Sequence, residues 1–144
     1  MRVLNAAALA LLVAAAARSV VACEVDTRPL EFGIVEPVRG ASARGRLTLT
    51  CDTPGTFAIG LTSQSDGTAR LLAGPGTAHL VYQIFTDGSL SVPWGDNITV
   101  GPTVGVVSDG EQAVVLTLYA EIFSGQSGIP PGDYADQLTV TVNF

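Results

Sequence analysis

The sequence predicts an all-β domain, built as an antiparallel sandwich of about six strands, on three observations. Apolar and polar residues alternate repeatedly after residue 23, and no helical period of useful length occurs there. Turn pairs such as Pro54-Gly55, Asp87-Gly88 and Pro131-Gly132 separate the alternating segments. The short spacing between turns favours an antiparallel sandwich, because a βαβ fold would need helices between its strands.

Six alternating segments are predicted as strands. They are LEFGIV at 30–35, GRLTLTC at 45–51, TFAIGLTSQ at 56–64, AHLVYQIFTD at 78–87, QAVVLTLYAEIF at 112–123 and QLTVTVNF at 137–144. An immunoglobulin-like sandwich has seven strands, so one is missing after the last segment. From Leu138 to Phe144 no proline or charged residue protects the strand against pairing with another chain. The sequence therefore predicts an incomplete sandwich whose last strand needs a partner.

Residues 1–22 are predicted to be a secretory signal peptide, and residues 23–144 the mature domain. Arg2 precedes an apolar run from Val3 to Ala17, and small residues stand just before Cys23. The run is too short to cross about 30 Å of hydrocarbon. We therefore expect an exported protein.

The two cysteines, Cys23 and Cys51, allow two interpretations. An isolated pair in an exported protein most simply forms one disulfide. In the chain-entropy model such a bond would stabilise the fold by roughly 3.5 kcal/mol. The stretch VVAC at 20–23 also fits a permissive lipobox, in which Cys23 would be lipidated and Cys51 would remain a free thiol. The disulfide interpretation is preferred because it accounts for both cysteines.

The charge balance excludes two classes of partner. The chain has 13 acidic residues, seven arginines and no lysine, and its net charge is −6. All the acidic residues lie after residue 23, whereas Arg2 and Arg18 lie before it. Nucleic acids and anionic membranes require clustered positive charge, so neither is an expected partner.

Few residues suggest chemistry. His79 is the only histidine and has no companion ligands at metal-binding spacing. The loop around Ser127 lacks the spacing of a nucleophile elbow, and Asp133 and Asp136 have no opposing partners across a substrate site. We therefore predict no enzymatic activity, no metal and no cofactor, and the sequence identifies no small-molecule substrate.

The single tryptophan, Trp94, lies in the loop sequence SVPWGDN. An exposed tryptophan would be a candidate recognition residue. We prefer the interpretation that Trp94 closes one end of the core, as a single Trp in a small β domain usually does.

Several sequence blocks together resemble one known family. They are Cys23, LEFG at 30–33, Cys51, LVYQIFTD at 80–87, WG at 94–95, LYAEI at 118–122 and PPGDYADQLTVTVNF at 130–144. This order is similar to that of the spore coat protein U domain family, which includes the subunits of archaic, Csu-type chaperone–usher pili. The motif residues in question are Trp94, Gly95, Gly132, Tyr134 and Asp136. The match covers essentially the whole mature chain.

The resemblance implies an incomplete immunoglobulin-like fold that is completed by a donor strand from a partner. A periplasmic chaperone would fill the groove first, and a neighbouring subunit would replace it at the outer-membrane usher. The protein would pass through the periplasm to the cell surface. The family disulfide would fall on Cys23 and Cys51. The groove is expected to be lined by Leu138, Val140, Val142 and Phe144, with Phe32, Ile34, Leu47 and Leu49 facing them.

The sequence departs from the family at its N-terminal side. Family subunits carry a longer alternating donor segment before the first cysteine, whereas only Arg18–Ala22 could survive cleavage here. Five residues span about 17 Å, which is too short for a full groove. The expectation is a subunit that accepts a strand and donates little, in a distal position or in a coat. The alternative is a self-sufficient or lipid-anchored surface binding module, adhesin-like or lectin-like, that does not polymerise.

Overall fold

The computed structural model describes residues 21–64, 69–98 and 100–144. All but the last two residues of the predicted signal peptide lie outside this part. Within it the chain forms eight β strands and no helix. The strands are β1 (Cys23–Arg28), β2 (Ala41–Cys51), β3 (Pro54–Ser63), β4 (Arg70–Ala73), β5 (His79–Phe85), β6 (Val104–Asp109), β7 (Val114–Ile122) and β8 (Leu138–Asn143).

The strands form two antiparallel sheets. The larger sheet has the order β1-β2-β7-β5-β4, and the smaller has the order β6-β3-β8. Alternation places one face of each sheet inside, where the side chains of Leu47, Leu49, Ile59, Leu61 and Ile84 are completely buried. The predicted all-β antiparallel sandwich is confirmed.

The strand prediction was wrong at residues 30–35, which form no strand. Gly33 adopts a left-handed backbone with φ of 72°, and a turn follows in which Glu36 O accepts from the backbone N–H groups of Arg39 and Gly40. Leu30 packs so closely over Gly45 that an added Cβ there would lie 2.9 Å from its side chain. The segment thus extends over the sheet edge as an irregular flap.

Three observed strands, β1, β4 and β6, were not predicted, so the number is eight rather than about six. β4 has four residues and β1 and β6 have six each, which gives too few alternations for a distinct pattern. In β1 only Cys23 and Val25 are partly buried, and the last three residues are exposed.

A disulfide joins Cys23 to Cys51, which face each other in the β1–β2 register with Cα atoms 4.1 Å apart. Beyond it the ladder continues, because Asp52 donates its backbone N–H to Ala22 O at 3.0 Å. The disulfide interpretation is confirmed. A lipidated Cys23 is excluded, since its sulfur is already bonded.

Trp94 is a core residue. Its side chain is 1% exposed, and its indole Nε1 donates to Ile59 O in β3 at 2.8 Å. The interpretation of Trp94 as the closure of the core is confirmed, and the alternative of a surface recognition residue is wrong.

Arg70 crosses the core from the larger sheet to the smaller one. Its Nη2 donates to Leu61 O at 2.9 Å and to Trp94 O at 2.6 Å, and its Nε donates to Gln83 Oε1 at 3.2 Å. Burial lowers the pKa of Arg70, while electrostatic interactions with Tyr82, Asp136 and Asp96 act in the opposite direction. β6 pairs with β3 only as far as Ile59 and Val104. Beyond that point the guanidinium of Arg70 donates to the carbonyl group of Leu61 in β3.

Candidate strand-binding cleft

β8 is an edge strand with one free side. It pairs only with β3, with Val140 opposite Leu61 and Val142 opposite Ile59. Within the described residues no strand pairs with its other edge. Backbone N–H and C=O groups along that side are therefore available to an additional strand.

An open cleft of about 1180 Å³ lies beside this free edge. Residues 29–38, the flap after β1, form one wall, and residues 129–136 with Leu138 and Val140 form the other. The floor is apolar because it is the inner face of both sheets, and it consists of Leu47, Leu61, Leu72, Leu80, Leu118 and Ile122. The cleft is an open gap between the two sheets, next to the free edge of β8.

Five of the eight predicted groove residues line the cleft. Leu138 and Val140 contribute from β8, Leu47 from β2, and Phe32 and Ile34 from the flap. The ring of Phe32 packs edge-on against Tyr82 with centroids 6.1 Å apart. Ile34 is fully exposed at the mouth, where a bound strand would cover it.

The other three predicted groove residues, Leu49, Val142 and Phe144, are not part of its lining. Leu49 is completely buried in the closed core. Phe144 packs edge-on against Phe57, with centroids 5.4 Å apart. β3 starts three residues after Cys51, so Phe57 lies towards the disulfide end. The cleft thus follows only the half of β8 that is distant from the disulfide.

The prediction from the sequence missed the contribution of β4 and β5 to the floor. Leu72, Leu80 and Tyr82 all line the cleft. A signal was present for the latter two, because they alternate with Val81 in the segment HLVYQIF. Leu72 lies in a strand too short to be recognised from its pattern.

The family motif residues fix the wall that precedes β8. Tyr82 donates its hydroxyl to Asp136 Oδ2 at 2.6 Å, and Tyr134 donates its hydroxyl to Pro130 O at 2.6 Å. Burial is the main reason that the pKa of Tyr82 is raised, and the hydrogen bond to Asp136 adds to it. The motif positions the cleft wall and presents no reactive group.

Glycines allow this wall to pack closely. The ring of Tyr134 lies directly on Gly74, and Pro75 lies on Gly132, so that a side chain at either glycine would collide. Ala73 and Ala135 exchange two backbone hydrogen bonds, of 2.7 and 3.0 Å. The wall is therefore tied to β4 at its middle.

The second motif block, Trp94-Gly95, lies outside the cleft lining. Gly95 donates its N–H to Pro102 O at 2.8 Å and accepts from Leu61 N at 3.0 Å. Gly101 approaches Gly95 so closely that a side chain there would collide with it. This block closes the opposite edge of β3.

The candidate chemical residues do not converge on a site. His79 is exposed at the start of β5, and Ser127 and Asp133 are exposed in the loop before β8. In the described ranges no three His, Cys, Asp or Glu side chains are grouped so that they could hold a metal ion. Nor does this part of the chain contain a helix long and apolar enough to span a membrane.

A family model for the spore coat protein U domain matches residues 8–141. The chain belongs to this family. The resemblance inferred from the sequence blocks is thereby confirmed. No curated protein matches the sequence.

Two solved structures have a similar fold. One is the crystal structure of the CsuC–CsuE chaperone–tip adhesion subunit pre-assembly complex from archaic chaperone–usher Csu pili of Acinetobacter baumannii. A chain in it matches with a TM-score of 0.63 and 18% identity, over 87% of this chain and 40% of that chain. The other is a chaperone–tip adhesin complex of CFA/I fimbriae biogenesis, with a TM-score of 0.51 and 8% identity over 84% and 42% of the two chains.

The present chain spans about two fifths of the length of each matched chain. At these identities the likeness establishes the fold, which is that of immunoglobulin-like pilus subunits. The predicted fold class is therefore confirmed in its immunoglobulin-like character as well.

Proposed function

We propose that this protein is a secreted, non-enzymatic structural subunit of a chaperone–usher-type pilus or spore-coat assembly, which accepts a donor strand in the cleft beside β8. The observation that carries the proposal is the open apolar cleft next to an unpaired strand edge. Membership of the spore coat protein U domain family supports it. A globular protein with no partner would instead cover such a floor with its own chain.

The cleft offers an inserted strand both kinds of interaction that strand addition uses. The free edge of β8 supplies main-chain hydrogen bonds, and the floor accepts every second side chain of the incoming strand. Burying one Val, Leu, Ile or Phe side chain contributes about 1.5–3 kcal/mol. A few such side chains would thus bind firmly, whereas an empty cleft leaves apolar surface in contact with water.

The proposed partners are a periplasmic chaperone, an outer-membrane usher and neighbouring subunits. Both similar structures are chaperone complexes by their descriptions, which supports the first of these. The disulfide supports passage through an oxidising compartment such as the periplasm, on the way to the cell surface.

The decisive experiment compares Val140→Asp with Thr141→Asp in cells that co-express the chaperone encoded with this protein. Val140 lines the cleft and faces Leu61, whereas Thr141 is exposed on the other face of the same strand. A carboxylate at position 140 would be buried without a partner under an inserted strand, at a cost of several kcal/mol. We expect chaperone co-purification to be lost with Val140→Asp and retained with Thr141→Asp.

The wild-type chain expressed without a chaperone should aggregate or be degraded in the periplasm. A soluble monomer that needs no partner and binds no hydrophobic dye would contradict the proposal. It would favour the self-sufficient surface module instead.

A further inference from the structure

Three exposed arginines of the described residues form no ion pair. The described residues contain five arginines, and the chain has no lysine. Arg70 is buried in the core, and Arg39 forms an ion pair with Glu36 at 3.1 Å. The remaining three lie together on the outer face of the larger sheet, and we call them the arginine patch: Arg28, Arg44 and Arg46.

Strand register brings the arginine patch together. Arg28 in β1 lies directly opposite Arg46 in β2, and Arg44 is two residues before Arg46 on the same face. All three are exposed, and they alternate with inward residues such as the completely buried Leu47. Neighbouring Cα atoms are therefore about 5 Å apart across the strands and about 7 Å apart along β2.

An aromatic ring supports one end of the patch. Arg44 lies opposite Tyr119 in β7, and its guanidinium carbon is 5.3 Å from the centre of the tyrosine ring. This cation–π contact orients the guanidinium without neutralising its charge. Its hydrogen-bond donors remain free for a ligand.

The patch is not compensated from within the protein. Like charges directly opposite each other on a sheet are destabilising, and Arg28 and Arg46 form such a pair. The chain has 13 acidic residues, yet within the described part none forms an ion pair with these arginines. On this face Asp26 lies two residues before Arg28 in β1, and Glu121 lies two residues after Tyr119 in β7, so two carboxylates flank three arginines and leave a net positive charge.

We propose that the arginine patch is a binding site for an anionic glycan, whose carboxylate or sulfate groups contact the three guanidinium groups. Guanidinium groups bind such oxyanions in a bidentate manner. The hydroxyl groups of Thr48, Thr50 and Thr117 lie on the same face and can hydrogen-bond to sugar hydroxyls.

The charges around the patch favour an anionic glycan over an extended anionic surface such as a membrane or a nucleic acid. The flanking carboxylates and the net charge of −6 repel a membrane or a nucleic acid, which would present negative charge across the whole face. A glycan needs only two or three anionic groups within the patch. A flat face with hydroxyl groups also suits a sugar chain better than a protein partner, whose binding energy comes mostly from side chains in apolar pockets.

The test measures binding of the full chain to immobilised heparin and polygalacturonate, as sulfated and carboxylated probes, with neutral dextran as the blank. The chain is used as purified, free or with its chaperone, and the chaperone alone is measured in parallel. We expect saturable binding that weakens with salt, because exposed charges are screened. The triple variant Arg28→Gln, Arg44→Gln, Arg46→Gln should bind about tenfold more weakly or worse, since each exposed ionic contact contributes a few-fold in affinity.

A matched control removes the effect of net charge. The variant Thr77→Glu, Gln112→Glu, Ser127→Glu makes the same change of three charges at exposed sites away from the patch, and it should bind as the wild type does. The triple Gln variant should also be at least as stable to heat as the wild type, because the repulsion between Arg28 and Arg46 is gone. Such a result would show that the triple Gln variant loses binding while it remains folded.

Four results would overturn the proposal. They are wild-type binding no stronger to either glycan than to dextran, equal losses in the two triple variants, full binding by the triple Gln variant, and a preference for phosphatidylserine vesicles or polyglutamate over both glycans. The last would assign the patch to a membrane or to an acidic protein. Arg28 and Arg46 also border the cleft, so chaperone co-purification of the triple Gln variant is measured in parallel. Retained co-purification together with lost glycan binding separates the patch from the donor-strand site.

Discussion

The space between the two sheets is filled by the chain at one edge of β3 and left empty at the other. On the β6 side, Trp94 and Arg70 occupy the interior, and their polar atoms bond to carbonyl groups of β3. On the β8 side, the floor is apolar, and no strand of the described residues pairs with the outer edge. The same strand β3 thus lies between an edge that the chain itself completes and the edge next to the open cleft.

This difference shows how an incomplete sandwich can still fold into one defined structure. The polar groups of the filled edge require particular partners, and these contacts within the chain fix the positions of β3, β4 and β5. The cleft offers apolar surface and shape only, as the proposed exchange of one inserted strand for another requires. Substitutions at the filled edge should therefore change stability, and substitutions in the cleft should change partner binding.

The largest effect on stability is expected for Trp94→Ala. Removal of a completely buried indole leaves a cavity and orphans Ile59 O, so the free energy of unfolding should fall by about 3–5 kcal/mol. The measurements are the amount of soluble chain in the periplasm and the urea midpoint of the chain purified with the chaperone proposed above. Trp94→Phe, which keeps an aromatic ring, should lose less. If Trp94→Ala proves as mild as Val107→Ala, at an exposed site, the filled edge does not stabilise the fold.

Arg70→Met should have the next largest effect, a loss of about 3 kcal/mol. Methionine fills a similar volume but leaves the buried carbonyl groups of Leu61 and Trp94 without their donor. The same urea measurement applies. The control is Arg39→Met, which removes an exposed arginine with a surface ion pair and should cost less than about 1 kcal/mol. Equal losses in the two variants would mean that Arg70 is not the link between the sheets.

The sequence allowed prediction of the fold class, the disulfide and the face of β8 that points inward, because each depends on a local pattern. Two-residue alternation from Leu138 to Val142 determines which side chains face the core. Cys23 and Cys51 are the only cysteines, so no other disulfide was possible within the chain.

The extent of the cleft could not be predicted because it depends on where loops lie. Gly33 turns the segment 30–35 away from the sheet, which makes Phe32 and Ile34 part of a flap rather than of a strand. Phe144 packs on Phe57, a contact set by the end of β8 and the start of β3, which are far apart in sequence. The burial of Arg70 could not be predicted either, since an arginine in a short segment next to a Gly-rich turn is expected to be exposed.

Tyr82→Phe should have the smallest effect on stability and tests the boundary between the two regions. Its ring lines the cleft floor, and its hydroxyl holds Asp136 in the cleft wall. The loss of this hydrogen bond should lower the free energy of unfolding by about 1 kcal/mol at pH 7. Chaperone binding should weaken as well, because the wall that precedes β8 is less firmly held.

The pH dependence of stability distinguishes the contribution of the Tyr82 hydroxyl group from that of its ring. The pKa of Tyr82 is raised in the folded state, so above the ordinary tyrosine value of about 10 the unfolded chain releases a proton that the folded chain retains. The contribution of this group is complete below pH 10 and falls by about 1.4 kcal/mol for each pH unit above it. The advantage of wild type over Tyr82→Phe in unfolding free energy should therefore shrink above pH 10, vanish near pH 11 and reverse by about pH 11.5. A difference that stays constant from pH 9 to pH 11.5 would mean that Tyr82 is held by its ring alone, and that the wall does not depend on the contact with Asp136.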